Sequence, residues 1–406
     1  MTAMPRARQK KSGSGVRAVD PNAEHQTPNT EHPPPPPVRR GLWWVAALAV
    51  LIAGGVRLGS TPAARRWRYE RQPVEALQKE AARRPGDAVL RLTLGRKLLA
   101  AGQASEAVQE FQRAVALEPQ SAEALAGLGR ALGATGHDDE AFAAVQLSLA
   151  RRPTAEALRA EGQLYLKHRV PEKAVPALER ATRLSPGDPD GWRLLAVARA
   201  ATGQWSAAEV AWERLAALRP GDPAMPTGRA EALIQLGRPE EAELLLRAAL
   251  QRGLLSVTAY TLLGSALAGR EPADRFAAPA EAAFREALRL DPASPDAAYG
   301  LGLLLLREGW NGEALSLFGD LARRAPDSLR ARFQYARALR GAGRAAEADA
   351  ALRDYHQRAE AARLEMELRG RLTLQPNDPV LRARLAELLQ SEEISRKREP
   401  FARKGE

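Results

Sequence analysis

Small and bulky residues recur along the chain at a nearly constant spacing. A small residue returns every 33 or 34 positions, with one step of 38, and the row consists of Gly95, Gly129, Gly162, Ala196, Ala230, Gly264, Gly302 and Ala336. An alanine row runs in register with it from Ala107 to Ala348. A bulky row lies four residues after each alanine, from Phe111 to Leu352. Rows that stay in register over most of the chain predict an array of repeated structural units.

The apolar positions within each unit predict two helices joined by a short turn. In the first unit they fall three or four residues apart over 89–101 and again over 105–117. This spacing gives each helix one buried stripe. A glycine inside a helix costs about 1 kcal/mol relative to alanine, so we expect Gly95 and its equivalents to lie at close helix contacts. A proline, first Pro119, ends the second helix.

These residues resemble the pattern of the tetratricopeptide repeat family. The first unit carries that pattern as Leu94, Gly95, Leu98, Ala107, Phe111, Ala114 and Pro119. Later units add its tryptophan at Trp192 and its tyrosine at Tyr165. The resemblance covers roughly 88–360 as eight units, which start near residues 88, 122, 155, 189, 223, 257, 295 and 329. It implies an all-α fold, a right-handed superhelical solenoid of helix-turn-helix repeats.

Three units depart from the pattern. Pro223 and Pro226 stand at the start of the fifth unit, whose first helix should therefore begin late. The sixth unit has four extra residues within 270–279, which predict a longer loop between its helices. Pro176 lies inside the second helix of the third unit and should bend it.

The segments that flank the array are also assigned from their patterns. Residues 60–87 are expected to form a helical linker or capping helix. The second helix of the eighth unit should run on through Tyr355 to Arg371, and 361–390 should form C-terminal capping helices. The remaining residues, 391–406, form a charged tail.

One apolar run near the N-terminus indicates a membrane anchor. Residues 42–56 contain no charge, and a helix over 41–59 reaches about 28 Å, close to the ~30 Å of a hydrocarbon core. Trp43 and Trp44 stand where interfacial aromatic residues belong. A short buried helix and a cleaved signal peptide are the alternatives. The long polar segment before the run and the lack of a small-x-small cleavage site after it favour an uncleaved transmembrane signal anchor.

The charge of the chain is concentrated around this anchor. Residues 1–71 contain 12 Lys and Arg against 4 Asp and Glu, a net +8 of the total +11. We therefore expect a membrane-flanking charge and no nucleic-acid partner. Residues 1–40, with five prolines at 33–37, predict a disordered basic tail. Positive charges on both sides of the run leave its orientation open, and a translocated, periplasmic array is slightly favoured over a cytoplasmic one.

Candidate chemistry is sparse. The chain has no cysteine, which excludes disulfides and thiolate catalysis, and its five histidines form no metal-spaced pair. The glycines at 127, 129 and 133 have the wrong spacing for a dinucleotide loop and lie within a repeat helix. We therefore predict no catalytic residues, no metal, no cofactor and no small-molecule substrate, and hence no enzyme.

The resemblance implies that function lies on the concave surface of first helices, where family members grip peptides. The outward positions carried over to this chain are Arg96, Arg130, Arg159, Gln163, Arg193, Tyr299, Phe333, Arg337 and Arg340. Guanidinium groups bind carboxylates bidentately, so an acidic partner segment is predicted. The alternative is a solvated face whose arginine stems cover apolar neighbours. The family's Lys/Asn clamp for C-terminal carboxylates is absent, because no asparagine stands at these positions.

Two functions follow from this organisation. The first is a non-catalytic scaffold in a bacterial inner membrane, crossing it once and binding partner proteins or peptides. Bacterial origin is inferred from the Ala-, Arg- and Gly-rich, Lys-poor composition. The alternative is an accessory subunit of an envelope assembly, secretion or cytochrome-maturation enzyme complex.

Overall fold

Helical hairpins follow one another along the described part of the chain. The structure is a computed structural model, and it describes residues 61–375 and 377–397, in which all regular secondary structure is α-helix. The helices are α1 (Pro62–Glu70), α2 (Val74–Arg83), α3 (Ala88–Ala100), α4 (Ala104–Leu117), α5 (Ala122–Thr135), α6 (Asp138–Arg151), α7 (Ala155–Lys167), α8 (Pro171–Leu184), α9 (Pro189–Ala201), α10 (Trp205–Leu218), α11 (Met225–Gln235), α12 (Pro239–Gln251), α13 (Val257–Ala268), α14 (Ala273–Leu290), α15 (Pro295–Arg307), α16 (Asn311–Arg324), α17 (Leu329–Gly341), α18 (Ala345–Leu374) and α19 (Pro379–Lys397).

Two of the predicted segments fall outside this description. The basic tail over 1–40 and the membrane anchor over 41–59 lie outside the described residues, as does the end of the charged tail after residue 397. Among the helices that the structure does describe, none combines the length and the apolar character needed to cross a bilayer. The hairpin array belongs to the unit Arg65–Glu406.

The first and second helices of each unit occupy different sides of the array. The predicted stretches 89–101 and 105–117 correspond to α3 and α4 to within one residue at each end, which confirms that prediction. First helices of successive units contact each other from α3 to α17. No comparable contact joins successive second helices in the described residues. First helices therefore share one face, which we call the inner face.

The close contacts expected at the glycines are present, and two of the bulky residues each take part in two of them. Phe111 packs against Gly95 of its own unit and Gly127 of the next, where an added Cβ would overlap its ring. Phe284 lies in the same way between Gly264 and Gly300. Phe111 and Phe284 are at most 1% exposed. Phe111 and Phe284 therefore hold a hairpin together and also join it to the following hairpin, which explains why glycine is retained inside these helices.

The turn between the two helices of a unit needs a left-handed residue. Glycine provides it in most units, at φ +79° in Gly102 and +82° in Gly309. In the third unit the turn residue is Arg169, at φ 58°. A side chain in this conformation crowds the backbone, so the third unit carries a small strain that its neighbours avoid.

Two of the three expected irregularities can be compared directly with the structure. The first helix of the fifth unit begins late, at Met225, as predicted. The predicted long loop of the sixth unit is wrong, because the extra residues lengthen the second helix, α14, to 18 residues. This added turn buries Phe276, which is 9% exposed with Arg270 stacked 4.1 Å above its ring. Helix α8 runs without a break through Pro176.

A long helix closes the C-terminal end. The predicted continuation through Tyr355 to Arg371 is confirmed, since α18 has 30 residues and spans about 45 Å. Helix α19 packs against it through Leu368 and Leu381, which are 1% and 3% exposed. These contacts cover the apolar side of the last hairpin.

Candidate binding surface on the inner face

The inner face is formed by side chains that the hairpin contacts leave uncovered. In each first helix the stripe around the glycine row is buried against the second helix. The residue directly after each small residue of the row, and the residue three positions before it, lie on the side of the helix that faces away from this contact. Eight of the nine residues of the predicted groove lie at such positions, on α3, α5, α7, α9, α15 and α17, and Arg340 lies four residues after the row on α17.

In the first three units, the arginines of this face are paired with carboxylates of the following units. Arg96 reaches Glu156 at 2.5 Å and Glu123 at 3.3 Å. Arg130 bonds the other oxygen of Glu156 at 3.2 Å. Each carboxylate thus bridges two units or more, and the pairs form a continuous row that we call the ion-pair ladder.

The ladder extends in both directions. Arg66, close to the first hairpin, also pairs with Glu123. Arg159 of α7 bonds Asp188 at 2.9 Å and lies 3.6 Å from Asp190, and Arg219 reaches Asp190 at 3.1 Å. The guanidinium groups of these units are therefore neutralised within the chain, which leaves little charge for an acidic ligand.

The pKa shifts of the ladder reflect both the ion pairs and the burial of their side chains. Burial opposes the ionisation of Glu123, but the charge and hydrogen bond of Arg66, with the charges of Arg96 and Arg152, lower its pKa. Burial and the like charge of Arg159 lower the pKa of Arg130, despite its bond to Glu156. Arginine remains protonated nonetheless, so the ladder stays charged at neutral pH.

A small cleft of about 150 Å³ opens beside the ladder, between α5 and α7. It is lined in part by Arg130, Gln163 and Lys167. The Lys167 ammonium donates to the carbonyl of Gly133 at 2.8 Å and to Asp138 at 2.5 Å. Gln163 is exposed, but the cations around it have partners within the chain.

The middle of the inner face has few charges. Val197 of the fourth unit is 40% exposed, and Arg193 has no carboxylate within ion-pair distance among residues 61–375 and 377–397. Desolvation and the nearby charge of Asp296 raise the pKa of Glu231, which has no cationic partner in the described part of the chain. This region therefore presents apolar surface and a weak negative charge.

The last two units bring three predicted groove residues close together, with a fourth nearby. Tyr299 and Phe333 stand on neighbouring first helices, and Arg337 donates to Gln334 at 3.0 Å. Phe333 is 37% exposed, with its ring centroid 5.3 Å from that of Tyr355. Arg340 instead turns onto α18, where it bonds Asp349 at 2.6 Å.

Sequence reasoning missed the acidic half of this surface. The carboxylates of the ladder stand at the second position of three successive units, as Glu123, Glu156 and Asp190, at the same period as the arginines. That period was a signal of cross-unit pairing. Gln334 and Arg330 gave no such signal, because their role depends on one tyrosine of the preceding unit. Among the described residues, no group of three His, Asp or Glu side chains is arranged to hold a metal ion.

Comparison with known proteins agrees with the repeat architecture. Residues 98–164 match one family model described as tetratricopeptide repeat, and 159–223, 227–279 and 273–317 match a second model of that description. The chain is 31% identical over 152 residues to cellulose synthase operon protein C of Pseudomonas fluorescens (strain SBW25). That match covers 36% of this chain and only 12% of the relative.

Two solved structures are similar to parts of the chain at low sequence identity. The Cut9–Hcn1 hetero-tetramer of the APC/C is 19% identical with a TM-score of 0.49, and the match covers 60% of this chain and 48% of that one. PilF of Pseudomonas aeruginosa is also 19% identical, with a TM-score of 0.45 and coverage of 52% and 94%.

Proposed function

Because the chain belongs to the tetratricopeptide repeat family, whose members generally act as non-catalytic protein-interaction scaffolds, we propose that it holds partner proteins on its inner face while anchored in a membrane. The observation that carries the proposal is the uncovered part of this face after the ion-pair ladder. There, exposed Val197 and Phe333 stand beside Arg193 and Arg337, whose charges are not neutralised by a carboxylate of the described chain.

The composition of this uncovered part suits a protein ligand. Protein interfaces combine apolar anchors with a smaller number of charged groups that fix register. A side chain such as Phe333, fixed against Tyr355, loses little conformational entropy when a partner covers it. A peptide laid along successive first helices contacts several units at once, which provides area that no single unit has.

The test compares two valines of the same unit on opposite sides. Val197 lies on the inner face, 40% exposed, and Val210 lies on the second helix, 52% exposed. In the full-length protein, Val197→Lys should reduce recovery of co-purifying partners by about tenfold, because a partner must then bury an ammonium group. Val210→Lys should leave recovery unchanged. Equal recovery with both variants would exclude the inner face as the binding surface.

The membrane anchor is the second part of the proposal, and it is supported by the sequence of 41–59. We propose a bacterial inner membrane with the array in the periplasm, because a large domain is translocated across the membrane largely regardless of the charges that flank the anchor. Protease added to spheroplasts should then digest the array. Protection of the array with loss of residues 1–40 would place it in the cytoplasm.

A second candidate function is an accessory subunit of an envelope enzyme complex. The 152-residue similarity to a cellulose synthase operon protein favours it, since the name of that relative refers to the operon of a synthase. Purification of the full chain with one enzyme at fixed stoichiometry would support this function. A diffuse set of partners at low occupancy would argue for the general scaffold instead.

A further inference from the structure

We propose that the last two units bind an acidic segment of the partner protein, through the guanidinium groups of Arg330 and Arg337 and the hydroxyl of Tyr299. This inference rests on the proposed function, because it names the chemistry of the segment held on the inner face. It confines the predicted acidic ligand to one part of that face.

The two guanidinium groups are held in position by a connected set of contacts. Arg330 stacks 3.6 Å above the ring centroid of Tyr299. The amide nitrogen of Gln334 donates to the Tyr299 hydroxyl at 3.2 Å, and its amide oxygen accepts from Arg337 at 3.0 Å. Gln334 is only 9% exposed, so both of its polar groups are committed to these bonds. A partner therefore meets arginines that are already ordered, which lowers the entropy cost of binding.

These cations differ from those of the ladder because no acid neutralises them. Neither Arg330 nor Arg337 has a carboxylate within ion-pair distance in residues 61–375 and 377–397. The Tyr299 oxygen accepts from Gln334, which leaves its own proton available to donate to a ligand. Two exposed guanidinium groups and a hydroxyl are suited to carboxylate oxygens, which accept several such bonds at once.

The spacing of the arginines predicts the spacing of the acids. Arg330 and Arg337 are seven residues apart on α17, which corresponds to about 10 Å along one side of the helix. Phe333 stands between them and is 37% exposed. In a polyproline II conformation, which has three residues per turn and a rise of about 3.1 Å per residue, side chains three positions apart lie on one side and about 9 Å apart. The fitting segment therefore has two carboxylates three positions apart, with an apolar side chain between them.

The site is bounded on both sides. Towards the middle of the array, Asp296 and Glu231 stand without a cationic partner in the described residues and repel an acidic segment. At the other end, Arg340 is neutralised by Asp349 at 2.6 Å. The charge of the inner face thus favours an acidic ligand between Tyr299 and Arg337, where two unpaired guanidinium groups lie on one helix.

The direct test measures peptide binding to the full-length protein by fluorescence anisotropy. The probe is a labelled peptide with blocked ends that contains Glu-Leu-Ser-Glu, and its counterpart contains Gln-Leu-Ser-Gln. The acidic peptide should bind about tenfold more tightly, with a preference that weakens at high salt. A version with adjacent glutamates should bind more weakly than the spaced one. No binding, or equal binding of the acidic and glutamine peptides, would overturn the inference.

Variants then assign the effect to residues. Arg330→Ala and Arg337→Ala should each weaken binding by about fivefold, whereas Arg340→Ala, on the same helix but paired with Asp349, should change it less than twofold. Arg330→Lys keeps the charge but loses the planar stack on Tyr299, so it should fall between wild type and alanine. Thermal unfolding checks that each variant is folded.

The outcomes separate this inference from the proposed function. If Arg340→Ala weakens binding as much as Arg337→Ala, the effect is one of general charge and the site is excluded. If Val197→Lys loses the natural partners while both alanine variants at 330 and 337 retain the acidic peptide at full affinity, the scaffold function stands and the acidic site is wrong.

Discussion

The inner face has two regions that use arginine in opposite ways. In the first three units, Arg96 and Arg130 share the carboxylate of Glu156 across the units. In the last two units, Arg330 and Arg337 lie against a tyrosine and a glutamine. Arginines of the inner face therefore form ion pairs between units in one region, and in the other region they remain as exposed, unpaired charges. The difference is made by the neighbouring first helix, which either supplies an acid or does not.

The largest effect is expected from a substitution that separates the two regions physically. Gly302→Leu would place a side chain in the ring of Phe318, where even a Cβ would come within 2.6 Å. Overpacking of this kind should lower the free energy of unfolding by about 3 kcal/mol. Because repeats contact mainly their neighbours, hydrogen exchange should show lost protection in α15–α17 while α3–α7 stay protected. Equal loss throughout would mean that the array unfolds as one cooperative body.

The next largest effect is expected from a substitution that leaves arginines of the first region unpaired, as they are in the last two units. Glu156→Gln removes the charge that bridges Arg96 and Arg130 and leaves their guanidinium groups close together. We expect the free energy of unfolding to fall by about 2 kcal/mol in denaturant titrations. The same variant should gain affinity for the acidic peptide.

The control for this prediction is Arg193→Ala, which breaks no ion pair of the described chain and should change stability by less than about 0.5 kcal/mol. If both variants were equally stable, the ladder would contribute nothing to the fold.

Acid titration should distinguish the two kinds of carboxylate. The pKa of Glu123 is lowered in the folded chain, so its contribution is complete above its unfolded pKa of about 4.3 and is lost as the pH falls through the folded value. Glu123→Gln should therefore reduce the loss of stability that occurs on acidification.

The pKa of Glu231 is raised, so its ionisation at neutral pH destabilises the fold. Glu231→Gln should stabilise at pH 7, and this gain should disappear below about pH 4. Parallel pH profiles for both variants would contradict these assignments.

The smallest effect concerns the hairpin turn of the ladder region. Arg169 has a positive φ of 58° where units of the other region have Gly309 and Gly343. Arg169→Gly should remove this strain and raise the free energy of unfolding by about 0.5 kcal/mol, after the entropy gained by the unfolded chain is subtracted. Gly309→Arg is the reverse control and should destabilise the C-terminal hairpin. A loss of stability in Arg169→Gly would show that its side chain contributes more than the strain costs.

The sequence was sufficient for those features that depend on local patterns. Helical periodicity located α3 and α4, and the glycine row located the close contacts with Phe111 and Phe284. The long loop predicted for the sixth unit was wrong. Extra residues between two helices can lengthen either the loop or one of the helices, and the sequence pattern does not distinguish these outcomes. Burial of Phe276 decides for the helix, and that burial depends on tertiary contacts.

The candidate site was harder to predict for a related reason. Position along the repeat placed all nine residues on first helices, but it did not indicate which arginines have acidic neighbours in the next unit. Arg96 and Arg337 occupy equivalent positions after the small-residue row, yet one pairs with Glu156 and the other with Gln334. Distinguishing them requires the distances between helices of different units, which a single repeat does not contain.

The double role of the bulky row limits how such a chain can grow or be shortened. Phe111 and Phe284 each occupy a gap that is half in their own unit and half in the following one. One sequence repeat consists of a first helix and the second helix that follows it. The packing around each of these rings instead includes the first helix of the next repeat, so the packing unit is shifted by about half a hairpin relative to the sequence repeat. A duplicated unit can follow such a ring only if its first helix has a small residue at the position of Gly127 or Gly300, because a larger side chain there would overlap the ring. A truncation after α4 or α14 would leave the bulky ring covered on one side only. The array instead ends in α18 and α19, which pack against each other as a different kind of helix pair.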